Sequence, residues 1–450
     1  MVGLFEAKDY YTNLASMTKL FTEGVQKLQA MTWNGRQVKV FIFGNYAFLC
    51  TLYGLSGPTA KFPCLWCLCS KENMQTQRYA RPKMSARTLD TIKTQSKSYK
   101  ANGSKKELAP EYQNAIHPPL WSVPVARVCP PYLHILLGVV KRHHDLLEDE
   151  CNKVDVMIGE EKAKEQATEP VINATLYDEY VMKLRRANMI SDDLAKNKQE
   201  YAFEEKDREL APEDRQALLQ HIEQTIAIQQ QTIDKLSQEA KLHKLSGPVA
   251  SNLDRVLQEN NIKLQAFHSR SFTGNHCHKY LQESTISSIT NSIVSVTKSL
   301  TNSRKIVDSA KVTAHKFQQL NIKYSKVHAS ISHSHFVPKS EMGDLQATID
   351  SYLQEYRSHY PDKIFPKLHM LEDHVVPWIK ETGFGMGLMG EQGGESAHKV
   401  FKALMRTYGG MPDPVKRLNS IIKRHMLSTD PRITRHVIAP KRRKLKEKVE

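Results

Sequence analysis

Apolar residues at Leu14, Met17, Leu20, Phe21, Val25, Leu28 and Met31 recur every three or four positions and predict an amphipathic helix over 13–31. Asn34-Gly35 is a turn signal, and the β-branched, aromatic run Gln37-Val-Lys-Val-Phe-Ile-Phe43 predicts a strand. Gly44-Asn45 breaks the strand, and Tyr46 to Leu52 starts a second helix. One strand makes a meagre sheet, so a pairing partner is missing from this half of the chain.

Residues 71–119 are polar, basic and weakly periodic, which predicts an exposed connection with short helices. Pro130-Pro131 opens a helix that runs to about Asp149, since proline is tolerated in a first turn. Residues 169–360 are helical in character almost throughout. Within them Leu219, Ile222, Ile226, Gln229, Ile233, Leu236 and Ala240 form an a/d seam, which suits a bundle helix or a coiled-coil homodimer. The expected fold is mainly α with a small β remnant, an α+β chain with a helical body between two smaller ends. The segment boundaries fall at 1–62, 63–128, 129–360, 361–430 and a tail at 431–450.

The 450 residues are 40% hydrophobic, enough for a sizeable core. No apolar run reaches the roughly 18 residues that a membrane-spanning helix needs, and the first nine residues lack a signal-peptide pattern. The expectation is a soluble intracellular chain without a membrane partner. Net charge is +16, which favours nucleic acid or another polyanion. The excess is local: Pro431 to Glu450 holds eight Lys/Arg against two Glu, and Leu68 to Pro110 holds ten against three acids.

Seven cysteines without a secretion signal argue against a disulfide framework and for a metal site at any cluster. That cluster is Cys64-Leu-Trp-Cys67-Leu-Cys69, while Cys50, Cys129, Cys151 and Cys277 read as small buried hydrophobes. His369 and His374 lie some three hundred residues later. Two thiolates and two imidazoles suit a closed, structural, tetrahedral Zn²⁺ site. On one ideal helix the two histidines would sit about 140° apart, so one belongs at a helix end or an irregular turn, as Pro366 and Pro377 permit. His276-Cys277-His278 suits a strand or loop, His143-His144 reads as solvated, and His333 and His335 fall in a loop.

In Gly390-Glu-Gln-Gly-Gly-Glu395-Ser-Ala-His-Lys399, glycines precede a helix with Glu395 in its first turn and Lys399, Lys402 and Arg406 behind it. A carboxylate there could hold Mg²⁺ beside a nucleic-acid backbone; the same pattern also serves helix capping and dipole compensation. The tail residues Lys441, Arg442, Arg443 and Lys444 form a basic run that suits nuclear localisation or non-specific DNA contact.

Taken in order, Gly44-Asn45-Tyr46, Gly54-Leu55, Cys64-x-x-Cys67, Leu133-His134, His369-x4-His374, Glu391 and Glu395-Ser-x-x-Lys399-x-Phe401 resemble the catalytic core of the V(D)J recombination-activating recombinase and its Transib-type transposase relatives. The resemblance covers roughly residues 1–140 and 350–430. It implies an incomplete RNase H-like core, interrupted by a long helical insertion and closed by zinc on Cys64, Cys67, His369 and His374. In that family two Asp and one Glu bind two divalent metals for DNA strand chemistry. Glu395 matches the Glu, Asn45 stands where an Asp belongs, and the first Asp falls before the start of this chain. Asn holds a hard cation far less well than a carboxylate does. The resemblance therefore implies a degenerate, DNA-binding, nuclear relative with its cleavage chemistry lost. The alternatives are an endonuclease or strand transferase using Mg²⁺ or Mn²⁺ within a longer chain, and a helical protein that dimerises through the seam.

Overall fold

The computed structural model describes residues 10–166, 186, 190, 212–242, 247–265, 271–390 and 392–434. These residues are mostly helical, and no helix among them is long and apolar enough to cross a membrane. The chain divides into two compact units, residues 1–139 with 326–450, and residues 140–325.

The first unit begins with α1 (Tyr11–Lys19) and α2 (Thr22–Ala30). One helix was expected over 13–31; the chain instead turns at Leu20-Phe21, whose amides bond to Met17 and Thr18. Leu14 and Thr18 are buried on α1, whereas α2 buries nothing, so no core contact holds the two in one rod. A hairpin follows, β1 (Thr32–Trp33) and β2 (Arg36–Gln37), turned by Asn34 and Gly35, both at positive φ. Two successive left-handed residues are what the tightest hairpin turn requires, and Asn-Gly supplies them cheaply.

The strand expected over 37–43 does not form as such. Its first residue, Gln37, ends β2 opposite Thr32, and beyond it only Ile42 is bridged, in parallel to Val128; an RNase H-like sheet is not present among the described residues. Gly44 then leads to α3 (Tyr46–Leu52), which Asn45 caps by accepting a hydrogen bond from the Phe48 amide at 2.8 Å. Gly54 follows at φ +74, where a Cβ would lie 1.9 Å from the His117 carbonyl oxygen. The close approach lets the Gly54 carbonyl accept from both Ile116 and His117 amides.

Residues 71–119 hold α4 (Lys71–Gln75), α5 (Leu89–Ala101) and a 3₁₀ turn at Lys106–Tyr112. The expectation of an exposed connection is corrected in part: Met74, Arg81, Arg87, Ile92 and Tyr99 are buried. The long α6 (Tyr132–Gln166) follows, extending a full four turns beyond the expected end near Asp149.

In the second unit α7 (Pro212–Leu242) is one continuous helix. Along the seam Ile222 is buried, Leu219, Ile226, Gln229 and Ile233 are half-buried, and the side chains of Leu236 and Ala240 lie outside the described residues. Next come α8 (Pro248–Glu259), α9 (Gly274–Tyr280), α10 (Glu283–Leu300) and α11 (Arg304–Ile331). α8 and α10 pack against each other, with Leu253, Val256 and Leu257 on one and Ile286, Ile289 and Ile293 on the other fully buried. Buried Asp155 of α6 accepts hydrogen bonds from the Val249 and Ala250 amides, both at 2.9 Å, and so caps α8 from outside.

Two histidine expectations fail in this unit. His143 and His144 are buried, and His143 Nδ1 lies 2.8 Å from Asn321 Oδ1. His276-Cys277-His278 is helical, within α9, with Cys277 fully buried. By contrast His333 and His335 do sit in a loop, and Cys50, Cys129, Cys151 and Cys277 are all buried and outside any disulfide.

The rest of the first unit comprises α12 (Met342–His359), α13 (Pro366–Asp373), α14 (Val375–Thr382), α15 (Gln392–Thr407), α16 (Pro414–Thr429) and the short α17 (Pro431–Thr434). α12, α13 and α14 pack on one another, and α13 also meets α4. That last contact brings the late histidines to the early cysteines.

Candidate metal centre

Cys64 and Cys67 sit on a tight loop held by backbone bonds rather than by a helix. The Leu68 amide donates to Ser85 O at 3.0 Å and the Arg87 amide to Trp66 O at 2.9 Å. Arg87 locks the loop from the side: its guanidinium donates to the carbonyls of Cys64 (2.8 Å), Phe62 (3.2 Å) and Gln113 (2.8 Å). Trp66 Nε1 donates to Val128 O at 3.1 Å, the residue that also bridges Ile42. The cysteine loop is thereby fixed to the Ile42–Val128 bridge.

The histidines come from the junction of α13 and α14. Pro366 sits in the first turn of α13, where its missing amide hydrogen costs nothing. His374 ends α13 and begins α14 with φ −119° and ψ −22°, outside ideal helical values. That irregular residue removes the 140° mismatch of an unbroken helix and turns both rings to one side. Their centroids are 5.0 Å apart.

The four candidate ligands converge. Cys64 Sγ lies 3.2 Å from His374 Nε2, Cys67 Sγ 3.3 Å from His369 Nε2, the two sulfurs 3.5 Å apart and the two Nε2 atoms 3.3 Å apart. All four donor atoms lie within 4.8 Å of one another. A tetrahedral ion with bonds of about 2.3 Å to sulfur and about 2.0 Å to nitrogen sets edges of about 3.8 Å (S–S), 3.5 Å (S–N) and 3.3 Å (N–N). The four edges given above fall within a few tenths of an ångström of these, and the other two, Cys64–His369 and Cys67–His374, are within 4.8 Å. Cys64 and His369 are fully buried, and four protein donors leave no open position for a substrate. This cluster could hold a metal ion, and its donor set is compatible with structural zinc.

A charged shell that the sequence reading missed stands behind the ligands. His369 Nδ1 lies 2.9 Å from Asp373 Oδ2, which directs Nε2 toward the cluster. Arg81 pairs closely with Asp373 and reaches Glu372 at 3.5 Å. Glu372 is also gripped by both terminal nitrogens of buried Arg357, at 2.8 and 2.9 Å, and accepts from the Arg78 amide at 3.2 Å. Arg81 and Arg87 belong to the basic segment read as exposed. Only the one-helical-turn spacing of His369 and Asp373 could have signalled part of this shell.

The shell separates the two imidazoles. Burial opposes protonation of His369, but Asp373 and then Cys67 override it and hold the ring up at about 10. At His374 burial, followed by the charge of His369, pushes the ring down to about 3. The Cys67 thiol is pushed up, first by its hydrogen bond with Cys64. Without an ion the buried His369 ring keeps its extra proton and disfavours one on His374; a cation takes the place of the protons on the ligands it binds.

Other candidate residues fall elsewhere. Asn45 serves as the α3 cap. Glu395 lies on α15, its side chain outside the described residues, as is Glu391 entirely. Lys399, Lys402 and Arg406 are exposed along α15, and Lys441, Arg442, Arg443 and Lys444 lie outside the described residues. Comparison with known proteins finds no family model that matches the chain and no curated protein that matches it.

Proposed function

We propose that this chain is a DNA-binding protein derived from a recombinase or transposase of the Transib type, held together by structural zinc and without strand cleavage of its own. One observation carries the reading. Cys64 and Cys67 meet His369 and His374 across three hundred residues, in the order in which the resemblance assigns the zinc ligands. A closed site of this kind supplies folding energy rather than chemistry. Its place is to tie the early loop to the α13–α14 junction, which precedes the helix that carries Glu395 and the basic residues behind it.

The inactive assignment rests on Asn45. Its side-chain oxygen accepts from the Phe48 amide, and it bears no charge to hold a divalent cation. Exposed Lys399, Lys402 and Arg406 support contact with a phosphate backbone, and the tail from Lys441 supports nuclear import or a further DNA contact. The test uses fluorescent duplex DNA at several salt concentrations and a nicking assay with Mg²⁺ or Mn²⁺. The reading expects salt-dependent affinity and equal silence in nicking from wild type and Glu395→Gln. No affinity for duplex DNA at low salt contradicts the DNA-binding part; nicking lost in Glu395→Gln contradicts the inactive part.

A further inference from the structure

The α15–α16 hairpin carries more exposed positive charge than the three residues read from sequence. The two helices pack through buried Phe401 and Ile421, with the Phe401 ring 4.8 Å from that of His425. Away from this seam Lys399, Lys402 and Arg406 are exposed on α15, and Lys416, Lys423 and Arg424 on α16. Lys399 and Arg406 are seven residues apart, as are Lys416 and Lys423, so each pair shares a helix face over about 10 Å.

None of these six has an ion-pair partner among the described residues, unlike Arg81, Arg357, Lys141 and Lys316. The two nearby acids with described side chains are already engaged. Asp413 caps α16 by accepting from the Val415 and Lys416 amides, and Asp430 pairs with Arg432 at 2.8 Å. Six exposed cations on two packed helices repel one another, and a polyanion with condensed counterions relieves that repulsion.

We infer that the α15–α16 hairpin is a sequence-independent clamp for the phosphate backbone of duplex nucleic acid, with Lys416, Lys423 and Arg424 forming its second helix face. Four of the six groups are lysines, point charges that neutralise phosphate without selecting a base edge. The inference rests on the DNA-binding reading above and deepens it by naming the ligand moiety and the second set of contacts.

The experiment titrates the full chain against a fluorescent duplex and plots log affinity against log KCl. Three triple variants are compared: K399Q/K402Q/R406Q, K416Q/K423Q/R424Q, and K93Q/K97Q/K100Q. The last removes the same charge from exposed positions of α5. Six phosphate contacts contribute about 5 to the magnitude of the slope, so each hairpin variant lowers it by about 2 to 3 while the α5 variant leaves it unchanged. Circular dichroism and metal content check folding, and the single variant K423Q, expected to lower the slope by about 1, substitutes for a triple that fails either check. Equal slopes in all variants of a DNA-binding wild type overturn the clamp and leave the DNA-binding reading standing. Absence of DNA binding overturns both. Tighter binding to phosphatidylserine vesicles than to duplex at equal salt also overturns the clamp, and assigns the hairpin to a membrane surface.

Discussion

At the scale of single residues, the weight of the account falls on side chains that never touch the proposed ion. Asp373 fixes His369 and is itself fixed by Arg81. Asp373→Asn removes the carboxylate charge with little change of shape, and ligand-orienting carboxylates of this kind are worth roughly 10–100-fold in metal affinity. A chelator competition assay on Asp373→Asn is expected to show a loss in that range; an unchanged affinity contradicts the orienting role.

Asn45 is a cap whatever its ancestry. Asn45→Ala is expected to cost about 1 kcal/mol in denaturant unfolding, and Asn45→Asp to restore it, because both Asn and Asp accept from the Phe48 amide. A third prediction concerns His143, which burial pushes down to about 4 from the ordinary 6.5. The folded state then binds fewer protons than the unfolded chain below pH 6.5. The stability is complete above that pH and is lost as pH falls through about 4, an effect of up to about 3 kcal/mol. His143→Gln is expected to flatten unfolding stability across that window, and an unaltered slope contradicts it.

At the scale of elements, the contrast between the α13–α14 junction and the segment at Val38–Phe43 explains what could be read from sequence. The junction was legible because the constraint was local: two histidines five apart cannot share a helix face, and prolines on either side mark where the helix can break. His374 duly sits between two helices. The strand was not legible, since its β-branched and aromatic composition reports willingness to pair and says nothing about a partner. The Val38 amide only extends the hairpin by bonding to Met31, and Ile42 alone is bridged, exchanging bonds with Arg127 and Cys129 at 3.1 and 2.8 Å.

Backbone groups of successive extended residues point to opposite edges, so those of Phe41 and Phe43 face away from that bridge. Native amide exchange is therefore expected to be slow at Ile42 and fast at Phe41 and Phe43. Equal protection at all three contradicts a single bridged position. The buried His143-His144 pair failed for a different reason. Neighbouring charges made the stretch look solvated, whereas His143 meets Asn321 and Tyr324, and His144 meets Phe272 and Tyr280, all far away in sequence.

At the scale of the whole molecule, the chain is a mostly helical protein whose first unit is stitched from both ends. The stitching residues were visible in the sequence as a CxxC and an HxxxxH. Their joint meaning was carried by order along the chain rather than by either motif alone. Of the Arg81–Asp373 and Arg357–Glu372 pairs that support them, Arg81 was hidden in a segment that composition marks as surface, and the others are set by packing between distant segments. Ion pairs this deep are costly to break singly, because the abandoned charge stays buried.

The same dependence makes metal removal a global event. Stripping the ion leaves four donors within 4.8 Å with nothing to join them, so a chelator is expected to lower the unfolding temperature of the first unit before that of the second.

The most direct measurement is the zinc content of purified wild-type protein by elemental analysis, beside Cys64→Ser and His369→Ala. The account predicts about one zinc per chain in the wild type and its loss in both variants, each altered at one end of a three-hundred-residue separation. A folded wild type without zinc, or a variant that keeps it, would contradict the metal-held closure on which the functional reading depends.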